Sequence, residues 1–179
     1  ADYKTIIEQG QAELKDRGSR FIGVSVSVGS KQEVDAFVST LWEQHPKARH
    51  VCYAYIFKDN NEYRANDDGE PSGSAGLPIL NQIKSAELRY TLVAVVRYFG
   101  GTKLGVSGLI NAYKAAARDC IAAAEIGVKQ EFKELEIVFD YSFMETVMRF
   151  IKSHEAQVLT QDFNESCTLT VRILLEELS

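Results

Sequence analysis

Regular spacing of apolar residues divides the first part of this chain into strands and helices. From Ile22 to Val28 every second residue is aliphatic, which predicts a strand with one buried face, and a polar turn near Asp16 predicts that this strand closes a hairpin over residues 3 to 28. Ser30 and Glu33 then have the spacing of a capping box, and apolar residues at helical intervals continue to Pro46. We therefore expect a hairpin followed by an amphipathic helix.

Two short runs, VCYAYIF at residues 51 to 57 and TLVAVV at residues 91 to 96, are apolar on both faces. Such runs are typical of central strands, so they are predicted to form the middle of a sheet. A polar loop over residues 58 to 76 separates them, and Pro78 suits the first turn of the helix that follows. A third helix is predicted after the glycine-rich turn at residues 99 to 108, and its alanine run with Gly127 marks a domain boundary.

Beyond residue 129 the pattern gives a shorter series of elements. It predicts a strand near Leu135 to Tyr141, a helix opened by a second capping box at Ser142 and Glu145, and strands at 156 to 163 and 167 to 175. The order βαββ is most of a split βαβ, ferredoxin-like unit, and the sequence ends before the final helix and strand of that unit. We expect two domains, residues 1 to 127 and an incomplete one over residues 128 to 179.

The charge composition changes at the same boundary. Residues 1 to 128 carry 15 basic and 15 acidic residues, whereas residues 129 to 179 carry 5 and 10, so the net charge of −5 arises in the second part. This balance argues against a generic polyelectrolyte grip on nucleic acid but leaves room for a local basic surface on the first part.

The cysteines and the absence of long apolar stretches indicate the compartment. Cys52, Cys120 and Cys167 form no CxxC pair and fall in apolar patterns, which suits a reducing environment and packing as small hydrophobic side chains. No run approaches the ~20 apolar residues that a membrane helix needs. We expect a cytoplasmic protein with no membrane contact, no bound metal and no cofactor.

The glycine-rich turn from Gly100 to Gly108 is the first candidate site. Between a buried strand and a helix, free backbone amides and the helix dipole can hold an anion, and tight backbone packing is the alternative. The turn lacks the Gly-Lys-Ser/Thr ending of a Walker A motif, and no acidic residue follows at the distance that a Rossmann fingerprint needs.

The acidic loop is the second candidate. Asp67, Asp68 and Glu70 stand just before glycines and a helix start, where carboxylates cap backbone amides or coordinate a hard cation. An EF-hand is excluded because Tyr63 and Arg64 occupy a ligand position and the obligatory glycine position.

Basic residues complete the set of candidates. His50, beside Arg49, opens the central strand, where its imidazole serves as a base, as an anion contact or only in local hydrogen bonds. Lys103, Lys114 and Arg118 form either a basic stripe or an ordinary solvated helix face.

Three segments, taken together, closely resemble the signature of the IMPACT family. They are ARH at 48 to 50, DDGEPSGSAGLP at 67 to 78 and VVRYFGGTKLGVSGL at 95 to 109. The similarity spans roughly residues 17 to 125, and the remainder looks like the small carboxy-terminal domain of bacterial YigZ-like members. By motif match, the family's functional surface would comprise Arg49, His50, Asp67, Asp68, Glu70, Ser74, Arg97, Gly100, Gly101, Lys103 and Gly105.

The resemblance also implies a fold class, α+β in two domains. The first is expected to be similar to the second domain of a small-subunit ribosomal protein, with a mixed sheet and helices on one face. The second is expected to be similar to a ferredoxin-like domain of elongation factor G, in truncated form. Eukaryotic members regulate translation initiation under amino-acid starvation, through an added amino-terminal protein-binding domain that the resemblance does not cover.

Three hypotheses about function follow. The first is a translation-associated regulator that binds RNA or the ribosome through the surface from Gly100 to Arg118 and needs no catalysis. The second is an enzyme acting on a nucleotide or another phosphate ligand, with Mg²⁺ held by the acidic loop and His50 or Lys103 as the acid–base or charge-stabilising group. The third is a protein-interaction module that binds a protein partner through its acidic second domain.

Overall fold

The larger part of the protein is built on a five-stranded sheet with the order β2-β3-β6-β4-β5. The computed structural model describes residues 2 to 178. Strands β1 (Asp2–Glu8) and β7 (Glu125–Gln130) pair with each other in a separate two-stranded sheet. The five strands of the main sheet are β2 (Gly10–Asp16), β3 (Ser19–Ser27), β4 (His50–Ile56), β5 (Tyr63–Asn66) and β6 (Thr91–Tyr98). Residues 4 to 128 form one compact unit, and the chain from residue 129 onwards, with the residues before 4, forms the other.

Every pairing in the five-stranded sheet is antiparallel, so the expected mixed sheet is wrong. The reason lies in the crossover after β3. Helix α1 (Lys31–Gln44) returns the chain across the sheet, so β3 and β4 run in the same direction. They are not neighbours, because β6 lies between them and runs opposite to both.

Helices cover both faces of this sheet, which also corrects the expectation of helices on one face. Helix α1 packs on the face that carries Ile22, Val51 and Val96. Helices α2 (Gly76–Ser85) and α3 (Gly105–Ala122) pack on the opposite face. Central strands that are apolar on both sides need this double cover, because an open face would leave half of their side chains in water.

The second face of strand β3, which was predicted to be exposed, packs against a helix. The small residues between the aliphatic ones face α3 rather than solvent. A Cβ atom on Gly23 would lie 2.5 Å from the Ala116 carbonyl oxygen, and the buried Ser25 hydroxyl donates a hydrogen bond to the Cys120 carbonyl at 2.8 Å. Small residues here allow a helix to approach the strand closely, so the prediction of one buried face was wrong.

Local signals predicted the helix starts of the larger unit well. The Ser30 hydroxyl accepts a hydrogen bond from the Glu33 amide at 3.2 Å, which confirms the N-cap. The Glu33 carboxylate accepts one from the amide of Gly29, one residue before the N-cap amide that a capping box uses. Pro78 lies in the first turn of α2, as predicted. The polar loop before α2 is shorter than expected, because residues 63 to 66 pair with β4 as strand β5.

The smaller unit has the predicted βαββ order. Its elements are β8 (Phe132–Phe139), α4 (Met144–Ser153), β9 (Gln157–Phe163) and β10 (Cys167–Leu174). The sheet order is β8-β10-β9, with antiparallel pairs, and Ile151 of α4 packs on Leu169 and Val171. The third strand therefore lies between the first two, as in the first half of a split βαβ unit.

The prediction of a second capping box, at Ser142 and Glu145, is wrong. A short 3₁₀ turn at Tyr141–Phe143 precedes α4, and no side chain caps the helix. Ser142 lies inside that turn, so its hydroxyl is not in position to accept from the helix amides.

The predicted packing of the cysteines is confirmed, since Cys52, Cys120 and Cys167 are free and buried. No helix within residues 2 to 178 is long and apolar enough to cross a membrane.

Candidate functional site

A cavity of about 480 Å³ lies in the larger unit, where the start of β4 and the end of β6 meet the first turn of α3. The strand register brings its polar residues together, because His50 pairs directly with Arg97. The cavity is lined by Arg49, His50, Glu70, Pro71, Arg97, Phe99, Lys103, Leu104, Gly105, Val106 and Leu109.

A buried ion pair lies at the wall of the cavity. The Arg97 Nη1 atom donates to both carboxylate oxygens of Glu70, at 2.9 and 2.7 Å, and the Tyr113 hydroxyl donates to Oε2 at 2.6 Å. The Arg97 Nη2 atom donates to the Ser19 hydroxyl at 3.4 Å. Glu70 is only 8% exposed and Arg97 only 5%, so each charge depends on the other for compensation.

His50 lies beside this pair. Its Nδ1 atom lies 2.6 Å from the Asp68 carbonyl oxygen, and because a carbonyl only accepts, Nδ1 donates this hydrogen bond. The Nε2 atom lies 3.2 Å from Glu70 Oε1. The imidazole is therefore in contact with both the backbone of the acidic loop and the buried carboxylate.

Tyr113 and Cys52 lie behind Glu70. Burial is the main cause that raises the pKa of the Tyr113 hydroxyl, and the neighbouring Cys52 and Glu70 raise it further. Burial likewise raises the pKa of the Cys52 thiol, which lies 3.4 Å from the Tyr113 hydroxyl. Both groups are therefore neutral at physiological pH, and Tyr113 serves as a fixed donor to the carboxylate.

The two aspartates of the acidic loop have structural contacts. The Asp67 carboxylate accepts hydrogen bonds from the amides of Gly73, Ala75 and Gly76 at 2.7 to 3.1 Å, which confirms the capping role for this residue. The Asp68 carboxylate accepts from the Val51 amide at 2.8 Å. Of the three acidic residues only Glu70 reaches the cavity.

In the described part of the chain, neither Ser74 nor a metal-binding cluster adds a ligand group to the acidic loop. The Ser74 hydroxyl donates to the Pro71 carbonyl at 2.5 Å, so it stabilises the turn rather than facing the cavity. Across the described residues, 2 to 178, no group of three or more His, Cys, Asp or Glu side chains is placed to hold a metal ion.

The glycine-rich turn combines packing with an open helix end. A Cβ atom on Gly100 would lie 2.0 Å from the backbone of Gly18, so this glycine is required by a close backbone contact. Gly101 and Gly105 have φ angles of +91° and +74° and open space beside them, and Gly105 lines the cavity. The packing interpretation is therefore confirmed for Gly100, whereas anion binding at Gly101 and Gly105 stays a prediction.

The candidate cations fall into two groups. Arg49 and Lys103 line the cavity, and the Arg49 guanidinium carbon lies 4.9 Å from the centroid of the Phe99 ring. Lys114 and Arg118 lie on the exposed side of α3 and do not line the cavity, and Arg118 forms an ion pair with Asp119 at 3.3 Å. The basic stripe is therefore not one continuous patch with Lys103.

The structure brings together six of the predicted site residues in this cavity: Arg49, His50, Glu70, Arg97, Lys103 and Gly105. It also adds residues that the sequence interpretation missed. Tyr113 was not singled out within its helix, although the hydroxyl of a buried tyrosine must find a partner. Phe99 was not singled out either, and its ring is 40% exposed at the cavity.

Fold and site define an α+β protein whose larger unit contains a cavity lined by Arg49, Glu70, Arg97 and Lys103. The family model described as the Impact N-terminal domain matches residues 17 to 121. The IMPACT family member YvyE of Bacillus subtilis (strain 168) is 34% identical over 98% of this chain and 80% of its own length. The IMPACT family member YigZ of Escherichia coli (strain K12) is 28% identical over 87% of this chain and 78% of its own length. The chain belongs to the IMPACT family.

A solved structure supports the same fold. The crystal structure of a hypothetical protein, 24% identical, superposes on 99% of this chain and 87% of its own with a TM-score of 0.81. At this identity the likeness concerns the fold alone, and it covers both units.

Proposed function

We propose that this protein is a regulator of translation that binds RNA through the cavity at the start of α3. The observation that carries the proposal is the pairing of two uncompensated cations, Arg49 and Lys103, with the exposed ring of Phe99 on the cavity wall. Cations that contact phosphates and aromatic rings that stack on bases are the two elements of single-strand recognition.

The ion pairs of the larger unit support this assignment of charge. Within residues 2 to 178, neither Arg49 nor Lys103 has a carboxylate within 4.0 Å, whereas Arg97 is neutralised by Glu70. Phosphate contacts of this kind give affinity without sequence preference and weaken with salt. The link to translation comes from the family, whose eukaryotic members regulate translation initiation.

Binding of a short single-stranded RNA, followed by fluorescence anisotropy at two salt concentrations, tests the proposal. We expect the double variant Arg49→Ala, Lys103→Ala to bind at least about tenfold more weakly at low salt. Loss of two phosphate contacts should also reduce the slope of log affinity against log salt by roughly 1.4.

The matched control is Lys58→Ala. Lys58 is an exposed cation that follows the far end of β4, so the length of that strand separates it from His50. Its removal should leave RNA affinity unchanged. The double variant Lys114→Ala, Arg118→Ala asks whether the exposed side of α3 adds to the contact. Failure of the wild-type protein to bind RNA or to co-sediment with ribosomes at low salt would sink the proposal.

The contact between the His50 imidazole and the Glu70 carboxylate in the cavity, with Nε2 3.2 Å from Oε1, favours a second candidate, an enzyme that acts on a bound phosphate ligand with His50 as its acid–base group. Turnover of a nucleotide by the wild-type protein, lost in His50→Gln, would support it. The absence of turnover under conditions where the ligand binds would eliminate it.

A further inference from the structure

The positive end of α3 opens onto the cavity without a cap. The helix is 18 residues long and begins at Gly105, its N-cap residue is Leu104, no side chain caps it, and its first turn contains no acidic residue. The first four amides of a helix have no partner within the helix and carry partial positive charge. Side-chain oxygens of Ser, Thr, Asp or Asn usually satisfy one of them, and Leu104 cannot. Leu104, Gly105 and Val106 all line the cavity, so these amides border it.

A second observation, independent of the helix, points to a missing acceptor. The Nε atom of the buried Arg97 has no hydrogen-bond partner anywhere in the described part of the chain, residues 2 to 178. A buried donor without an acceptor destabilises a structure by about 1–3 kcal/mol. Such donors are rare in native proteins, and a bound water, ion or ligand is one of the ways in which they are satisfied.

Arg97 packs beside Phe99 at the wall of the cavity. The guanidinium carbon of Arg97 lies 5.6 Å from the ring centroids of both Phe21 and Phe99. Phe21 is completely buried, whereas Phe99 is 40% exposed and lines the cavity. Arg97 lines it too, so the side chain that carries the unpaired Nε atom borders the cavity.

The charges around the cavity match a dianion. Glu70 and Arg97 compensate each other, which leaves Arg49, Lys103 and the helix end with no acidic partner in the part of the chain that the structure describes. A phosphate monoester carries about −1.5 to −2 charges at pH 7, and a phosphodiester carries only one. A cavity of about 480 Å³ also has the size of a site for one small ligand or for the terminal nucleotide of an RNA chain.

We propose that the cavity binds the phosphate monoester of a nucleotide, with its oxygens at the first turn of α3 between Arg49 and Lys103. The nucleotide's base or sugar lies on Phe99. This inference rests on the proposed function, since both place the ligand in the same cavity, and it narrows the bound group to one with a terminal phosphate. Two sources supply that chemistry, a free nucleoside monophosphate and a phosphorylated end of RNA.

Matched ligands distinguish the phosphate classes. Titration calorimetry would compare nucleoside 5′-monophosphates with their 3′,5′-cyclic monophosphates, which keep the base and sugar but carry a monoanionic diester. In parallel, one short RNA would be prepared with a 5′-phosphate, a 3′-phosphate or only hydroxyl ends. We expect the monoester to bind at least about tenfold more tightly than its matched partner in one or both arms.

The outcomes separate this inference from the proposed function. Equal binding of phosphorylated and unphosphorylated RNA, with no preference among the free nucleotides, would overturn the inference and leave RNA binding intact. A monoester preference among free nucleotides, with no RNA bound in any form, would support the inference and remove the proposed function. A preference only on RNA ends supports both.

A substitution in the first turn of α3 tests the location. Val106 is 52% exposed, so Val106→Asp and Val106→Asn should both fold, and an acidic residue in a first turn favours the helix itself. We expect Val106→Asp to bind the monoester at least about tenfold more weakly than Val106→Asn. Equal affinity of the two variants, or full affinity in Lys103→Ala, would overturn the placement.

Discussion

Helices cover the sheets of the two units of this protein in different ways. In the larger unit, helices lie on both faces of five strands, and the buried ion pair of Glu70 and Arg97 lies at one end of this sheet. In the smaller unit, the helix α4 packs on one face of three strands, and every residue of β9 is exposed. The cavity and its charges therefore belong to a sheet that is covered on both faces.

The largest effect that would test this comparison is expected at Glu70. Glu70→Ala leaves Arg97 buried without its counter-charge, which should lower the free energy of unfolding by about 3–5 kcal/mol in urea denaturation. Replacing both partners, as Glu70→Leu with Arg97→Met, should cost less than Glu70→Ala alone. Glu87, whose side chain is 81% exposed, provides the control, and Glu87→Ala should change stability by less than about 0.5 kcal/mol. An equal effect of the two alanine variants would mean that the buried pair is not coupled to stability.

An intermediate effect is expected from the core of the smaller unit. Leu169→Ala removes a side chain that is 1% exposed, and cavity formation should destabilise that unit by about 2–4 kcal/mol. Hydrogen exchange should then become faster in β8, β9 and β10 while β3 and β6 keep their protection. Equal loss of protection in both units would contradict the separation described above.

The smallest effect is expected at Tyr113. Tyr113→Phe removes one hydrogen bond to Glu70, which should cost about 1 kcal/mol at neutral pH. Because the pKa of Tyr113 is higher in the folded state than in the unfolded state, the hydroxyl stabilises the fold fully below pH 10, and that stability is lost as the pH rises above 10. The buried thiols, including Cys120 with a pKa raised to about 12 by burial, act in the same direction.

Urea denaturation across the alkaline range measures how the free energy of unfolding depends on pH in the wild-type protein and in Tyr113→Phe. Tyr113→Phe should lose less stability above pH 10 than the wild-type protein does, and the remaining loss should come from the thiols. A steeper alkaline loss in the variant would show that Tyr113 is not the titrating group.

Sequence patterns predicted the elements of this protein better than their arrangement. Periodicity and capping signals identified α1 and the βαββ order of the smaller unit, since both depend on residues close in sequence. The antiparallel sheet and its double cover depend on which strand inserts between β3 and β4, and no local signal specifies that choice. Gly23 shows the limit, because a small residue predicts an exposed position and a close helix contact equally well.

The candidate site was predictable in part for the same reason. The family signature contains Arg49, His50, Glu70, Arg97, Lys103 and Gly105, which the cavity brings together. It also contains Asp67, whose carboxylate is used to start α2. Side-chain chemistry alone does not distinguish a carboxylate that faces a cavity from one that caps a helix, since both must accept hydrogen bonds.

The orientation of His50 is set by a backbone atom, the carbonyl oxygen of residue 68. Every amino acid has that oxygen, so no replacement of the Asp68 side chain deletes it. In a mutational scan, substitutions at position 68 would therefore report on the loss of its carboxylate and on its left-handed φ of +43°. They would not report on the hydrogen bond between its carbonyl oxygen and the imidazole, because every variant keeps that oxygen. Only a change to the main chain itself, such as replacing the amide that contains this carbonyl with a thioamide, would reveal how much the histidine depends on it.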